Sequence, residues 1–484
     1  MSRKVCILIL AVLSSFFACQ KGTDVPEMTV PIRMMDIQDI YFREKMKEFE
    51  RQNQVRIDVV TFDQVEDVRQ MMELERSSGQ QRIGLVKTAL EMVYPLAESG
   101  YLIPLDEIVD SVRMERDLDE YLPQARDMGN IDGRYYYIPR KLETYLLFYL
   151  ESKVKDALDG WEKLRPEMDA AFREFNGYGL PAGYELEREP ADWDFYDIAV
   201  LSFFWANQPY QDILLPRVAH RGKRYAGTVN ELATRVFQLG GDKGDILAMN
   251  TGSVKDMFQW ESFFVRGDMY HPGMWERAWS GGDIWKAVSS GEVFLCYLHQ
   301  IDLFFVHGGS DPTMSGYLSD PSDMRVSVLP KGVSLELTGE GLPEREGGQS
   351  SNLYGWWWGI PITSPDPDLS YRLARFITSR ENQIEECSRF GMFPVRKDVL
   401  DDLAQSFDER WKREIFEISR QQFDVGTKEL PRLKQWPRVG KNYLDAWYDV
   451  SVTRRIVESR KLSHALEAYA RINQDILSSP KAEE

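Results

Sequence analysis

The sequence predicts an α/β protein of more than one domain, and three observations carry that expectation. From Thr29 onward, segments of strand-like and helix-like hydrophobic period alternate, which indicates strands separated by helices and hence a parallel sheet. The 484 residues exceed a single small module and suit about two to three domains of roughly 150 residues. Hydrophobic residues make up 43% of the chain, the ordinary content of a packed core, which excludes disordered and collagen-like chains.

Taken in order, Thr29 to Met35 reads as a strand. Ile40 to Arg51 reads as a helix with Phe42, Met46 and Phe49 on one face, and Val55 to Val60 as a second strand. A helix over Val65 to Glu75 places Val68 and Met72 together, and a short strand around Ile83 to Val86 leads into a helix ending at Gly100. Asp132-Gly133 signals a tight turn before Thr144 to Leu150, a β-rich run. Residues 153 to 175 form a polar helical stretch, and Ala199 to Trp205 and Leu232 to Leu239 are apolar. Trp279 to Gly291 reads as an amphipathic helix, and Glu292 to Leu298 and Arg325 to Leu329 as strands. Lys331 to Ser350 is polar and Gly-rich, the expected flexible excursion. Helices recur over Leu369 to Ser379 and Lys461 to Leu477, the last with Leu466, Tyr469, Ile472 and Ile476 on its buried side.

The N-terminus carries Arg3-Lys4, an apolar run from Val5 to Leu13 and a small-residue site, the organisation of an export signal. The apolar stretch is shorter than the about 20 residues that span a bilayer. Ala18-Cys19 resembles the bacterial lipobox, which implies signal cleavage after residue 18, lipidation of Cys19, and residues 19 to 31 as a tether from membrane to body. Phe16 stands where the motif usually has Leu. The four cysteines then leave Cys296 and Cys387 in the body, where a disulfide is permitted but not required. Scattered histidines and no CxxC or HxxH spacing give no reason to expect a metal or other cofactor. The net charge of −18, with no segregated basic patch, argues against nucleic acid as a partner.

Several phrases, weak singly but ordered along the chain, carry a resemblance. They are "KEFERQNQVRIDVV", "LAESGYLIPLDEIV" (Leu96 to Val109), "DGRYYYIPRKLETYLLFYL" (Asp132 to Leu150), Trp161-x-x-Leu164, "SSGEVFL", "VSVLP", "GWWWGIP" (Gly355 to Pro361) and "LARFITSRENQ". Together they resemble the extracellular solute-binding proteins of ABC importers, family 1, the group that includes maltose-binding protein. Two departures stand out: Arg82-Ile83-Gly84 replaces the usual Pro-Asp before the third strand, and Leu150 replaces an Asn. The resemblance implies a type II periplasmic-binding-protein-like fold, two α/β lobes around a hinged cleft. The first lobe would be about 27 to 141 plus 357 to 394 and the second about 142 to 356 plus 395 to 484. It further implies capture of a sugar or oligosaccharide by lobe closure, delivery to ABC permease subunits, no catalysis, and a monomer held outside the cytoplasm by its lipid.

A sugar needs aromatic faces and planar polar groups, and the chain has 13 Trp, 22 Tyr and 24 Phe to supply the former. Trp447 lies where the family offers an aromatic from a C-terminal helix, with an interior helix position as its alternative. Of Trp356, Trp357 and Trp358, alternation lets one side reach the cleft, and Trp357 is preferred. Trp193 and Tyr196 sit in a polar aromatic loop, where core packing is the other explanation. Glu143, four residues after Pro139, matches a ligand-binding carboxylate at the first lobe crossing, and a carboxylate can accept from two hydroxyls. Asp36 and Glu91 follow strands whose ends face the ligand crevice in open α/β sheets, although Glu91 also suits a helix N-terminus. His299 and Gln300 follow a strand and can donate to hydroxyls, or simply form a solvated turn. Two other readings remain open: an outer-membrane glycan-capture lipoprotein, and an exported glycan hydrolase with a carboxylate pair.

Overall fold

The computed structural model describes residues 25–33, 39–62, 65–208, 215–308 and 316–479. Cys19 and Asp36 lie outside these residues. Strands β1 (Glu27–Arg33), β2 (Arg56–Phe62), β3 (Val86–Ala89) and β4 (Tyr137–Glu143) open the chain. After them come β5 (Tyr145–Leu150), β6 (Arg217–Ala219), β7 (Val293–His299), β8 (Met324–Ser327) and β9 (Tyr354–Gly359).

These strands form two sheets. In the first, β1 runs parallel to β2 from Glu27↔Arg56 to Arg33↔Phe62. Thr29 then ties β1 to the approach of β3, its N–H donating to the Arg82 carbonyl at 2.7 Å and its carbonyl accepting from Gly84 at 2.9 Å. Strand β9 lies antiparallel between β3 and β4, so the order is β2-β1-β3-β9-β4. In the second sheet the order is β8-β5-β7-β6, with only β6 and β7 parallel. The parallel sheet read from the alternation therefore holds for the opening strands, while the returning β9 makes the first sheet mixed. A single residue, Thr144, separates β4 in one sheet from β5 in the other.

Helix α1 (Asp39–Asn53) buries Phe42, Met46 and Phe49, as their spacing requires. Helix α2 (Val65–Ser78) buries Val68 and Met72, and α3 (Leu90–Glu98) follows β3 directly. The third strand sits three residues later than the apolar run suggests, because Ile83 makes only an isolated bridge to Thr29. The stretch 153 to 175 divides into Glu151–Gly160, a 3-10 turn at Trp161–Leu164, and Arg165–Asn176.

The supposed aromatic loop around Trp193 and Tyr196 is the start of α4 (Phe195–Ala206). Asp194 caps it by accepting from the Tyr196 and Asp197 amides, which is the local preference of an Asp ahead of an apolar helix. The expected flexible excursion at 331–350 is pinned instead. Val333, Leu335 and Leu337 alternate inward and are buried, and the Val333 and Leu335 carbonyls accept from Trp260 and Tyr196.

Further elements used below are α5 (Ala226–Gln238), α6 (Gln300–His307), α7 (Arg380–Phe390), α8 (Trp436–Ala446) and α9 (Ser459–Ser478). In α9 Leu462, Leu466 and Ile476 are buried, but Ile472, assigned to the same face by the sequence, is 45% exposed. Cys296 in β7 and Cys387 in α7 are buried and free. Among the described residues no helix is long and apolar enough to cross a membrane.

Candidate functional site

Where the chain passes between the sheets, most polar side chains are engaged with one another or with backbone, while Thr144 Oγ1 and His299 Nε2 are buried without a hydrogen-bond partner among the described residues. Gln300, the first residue of α6, brackets the crossing: its Nε2 donates to the Leu142 carbonyl and its Oε1 accepts from the Thr144 amide, both at 3.0 Å. Gln383 in α7 does the same beside it, donating to the Arg140 carbonyl and accepting from Val395. Arg140 pairs with Glu386 at 2.5 Å, with both side chains fully buried. Lys141 pairs with Glu143 at 2.5 Å. Burial pushes the Glu143 carboxyl up, but the Lys141 ammonium, aided by His299 and Arg140, outweighs it and holds it down at about 2. The His299 ring lies 4.1 Å from Tyr145 and stacks on Tyr354. Burial, reinforced by Arg221, lowers it to about 4, so it is neutral.

The predicted aromatic contacts are also enclosed. Trp447 is fully buried, and its indole N–H donates to Glu261 at 2.8 Å inside a network that also holds His220 and Arg235. Trp357 is fully buried and donates to the Ala125 carbonyl. A register shift between Trp356 and Trp357 breaks the alternation on which its selection rested. Trp356, not Trp357, takes the cations, with the Lys87 ammonium 4.6 Å from its ring. Trp193 and Tyr196 donate to the Glu187 and Leu335 carbonyls. Each of these rings packs within one lobe, and each indole or phenol already has a backbone or carboxylate partner.

Of the residues singled out from the sequence, Glu91 alone lines the cavity between the lobes. That cavity measures about 290 Å³, close to the lower end of ligand sites, about 300–1,000 Å³. Glu91 stands at the start of α3, beyond the C-terminal end of β3, where helix-start polarity favours a carboxylate. Across from it are Arg224, Tyr225, Ala226, Val229 and Asn230 at the head of α5, and Trp436, Pro437, Gly440, Lys441 and Leu444 of α8. Gly440 faces Val229, where a Cβ would make ordinary contact 3.5 Å from the methyls.

Asn230 is 1% exposed, and its Oδ1 has no hydrogen-bond partner among the described residues. Arg224 pairs with Asp445 at 2.5 Å and lies over the Tyr448 ring. The strap Leu430–Trp436 leads into the cavity wall, to which it contributes Trp436. Lys434 reaches Glu98 of the first lobe at 3.3 Å, and Arg432 donates to the Asp127 carbonyl. Sequence reasoning missed Tyr225, Asn230 and Trp436; for Trp436 alone a signal was available in "PRLKQWPRVGK", an aromatic between prolines in a basic run.

A family profile described as bacterial extracellular solute-binding protein matches residues 44–414. The chain belongs to that family. Solved structures repeat the architecture at low identity. Maltose-bound MalE3 of T. maritima superposes with a TM-score of 0.68 at 16% identity, over 93% of this chain and 99% of that one. The GacH receptor of Streptomyces glaucescens, solved unliganded and with acarbose, gives 0.68 at 15%, over 94% and 99%. The maltotriose-bound binding protein of Thermus thermophilus gives 0.64 at 14%, over 93% and 100%. At these identities the likeness establishes the two-lobed solute-binding fold. No curated protein sequence gives a match. In a solute-binding protein of this shape, a cavity walled by both lobes is the place where closure would enclose a ligand.

Proposed function

We propose that this solute-binding protein captures a sugar or oligosaccharide in the cavity between Glu91, Asn230, Tyr225 and Trp436 and delivers it to ABC permease subunits. The observation that carries this reading is the buried, unpartnered amide oxygen of Asn230 on a wall shared with two aromatic rings. A buried polar group left unmatched costs about 1–3 kcal/mol, and a ligand hydroxyl would satisfy it while Trp436 and Tyr225 cover the apolar ring face. The sugars and acarbose held by the structural neighbours support the same ligand class. The protein acts as a monomer outside the cytoplasm, with residues 1–18 removed and Cys19 lipidated. Glu143, His299 and Gln300 serve the reading as parts of the pivot between the lobes; Trp447, Trp357, Trp193 and Tyr196 serve it as lobe packing. No covalent step is needed.

Thermal-shift screening of the purified protein against a carbohydrate panel is the test, because a ligand that binds only the native state raises the melting temperature. A shift with one or more saccharides, weakened in Asn230→Ala, is expected. Shifts with amino acids or peptides alone would reject the ligand class. Fatty-acid labelling that survives Cys19→Ser would reject the anchor.

A further inference from the structure

The cavity carries a charge pattern opposite to that of the whole protein. The chain as a whole is strongly acidic, at −18. Yet Pro431 to Lys441, which supplies the strap and one wall, contains Arg432, Lys434, Arg438 and Lys441 with no acidic residue. This run escaped the sequence reading, which found no basic patch, because a handful of cations in one segment disappears in a whole-chain count. Arg224 adds a guanidinium from the neighbouring segment.

These cations divide by what they hold. Arg432 and Lys434 reach across to the first lobe, and Arg224 rests on Asp445. The side chains of Arg438 and Lys441 make no hydrogen bond or ion pair among the described residues, and Lys441 is an exposed member of the cavity wall. The single acid on that wall, Glu91, belongs to the opposite lobe. The cavity wall thus carries two cations, Arg224 and Lys441, against one acid; an excess of one sign favours counter-charged ligands, and a cation that is unpaired at the mouth forms a charge-assisted contact without first breaking another.

We infer that the ligand is an anionic saccharide whose acidic group is received by Lys441, with Arg224 beside it, while its hydroxyls face Asn230 and Glu91. This inference rests on the saccharide reading above and narrows it. The chemistry called for is an oxyanion on a sugar ring, and two sources satisfy it, a uronic acid carboxylate and a sulfate ester.

Calorimetric titration of the full-length protein with digalacturonic acid, a sulfated disaccharide and maltose, at low and at physiological salt, separates the possibilities. An acidic disaccharide is expected to bind about tenfold or more tighter than maltose, in keeping with one charge-assisted contact, and the gap should narrow as salt screens it. Lys441→Gln should remove most of that gap, weakening the acidic disaccharide several-fold more than maltose; because Lys441 is exposed, the variant folds. Whichever acidic disaccharide binds better identifies the oxyanion. Maltose binding as well as or better than both acids, or Lys441→Gln weakening all three alike, would overturn the inference and leave the saccharide reading standing. Silence of all three, together with a silent carbohydrate panel, would overturn both.

Discussion

The crossing between the sheets and the cavity at the lobe interface use the same kinds of side chain in opposite ways. At the crossing, Arg140, Lys141, Glu143, Glu386, Gln300 and Gln383 are buried and bonded to one another or to backbone. At the cavity, the Asn230 Oδ1 is buried without a hydrogen-bond partner and Lys441 is exposed without an ion pair. Residue type therefore does not separate the crossing from the cavity wall, and neither does a missing partner alone, since Thr144 Oγ1 and His299 Nε2 at the crossing are also buried without one; what sets Asn230 apart is that it lines a cavity of about 290 Å³. A carboxylate two residues from a lysine along a strand, as in Lys141-x-Glu143, is taken up by its neighbour before any ligand arrives.

The largest effect should come from breaking the pivot. Arg140→Ala strands the Glu386 carboxylate in the interior, and removing one member of a buried pair costs about 3–5 kcal/mol. Urea denaturation should show a loss of that order, and a loss under about 1 kcal/mol would mean that the crossing is wetter than its burial indicates.

Next is Glu143. Its pKa is depressed to about 2, so the stability it contributes is fully present above its ordinary value near 4.5 and disappears as pH falls toward 2, a span of roughly 3 kcal/mol. His299 acts in the same direction at higher pH: lowered to about 4, it stays neutral in the fold while the unfolded chain protonates below 6.5, so acid favours unfolding between those values. Glu143→Gln should lower the melting temperature at neutral pH and flatten the acid limb below pH 4.5, leaving the His299 portion. An unchanged acid limb would show that Lys141 does not hold this carboxylate ionised.

Asn230→Ala should do the reverse of a pivot mutation. Stability is expected to stay level or rise slightly, since an unmatched buried acceptor is removed, while saccharide affinity falls about tenfold, the value of one hydrogen bond of roughly 1.4 kcal/mol. A large fall in stability with affinity intact would place Asn230 with the pivot residues. The smallest effect belongs to the strap. Lys434 and Glu98 are each about one-third exposed, at 34% and 37%, and such pairs contribute about 0–1 kcal/mol. Lys434→Glu should favour a more open shape in solution scattering at low salt, and Glu98→Lys in the same chain should restore it. A double variant as open as the single one would show that the pair does not hold the lobes together.

The comparison also explains what could be read from the sequence. The opening strands and helices were legible because Phe42, Met46 and Phe49, or Val68 and Met72, encode a period that local geometry alone must satisfy. The excursion at 331–350 was misread for the converse reason: Gly and polar residues dominate its composition and conceal the inward alternation of Val333, Leu335 and Leu337. In the cavity wall, the place of Glu91 at a helix start just after a strand was legible from the strand–helix alternation. Trp447, Trp193 and Tyr196 show the limit, since an aromatic in a polar stretch looks the same in sequence whether its ring lies in a cleft or, as here, at 0% exposure. Asn230 was out of reach because nothing in "TVNELA" says that one amide oxygen lacks a partner; that is a property of packing between α5 and its surroundings.

The glutamines at the crossing have a consequence for how such a protein meets a changing environment. A primary amide neither titrates nor attracts counter-ions, so the bracket that Gln300 places around Leu142 and Thr144 keeps its strength through osmotic upshift, even though acid acts on Glu143 and His299 beside it. Ionic conditions would then alter how strongly the mouth holds its guest without altering the axis about which the two halves swing.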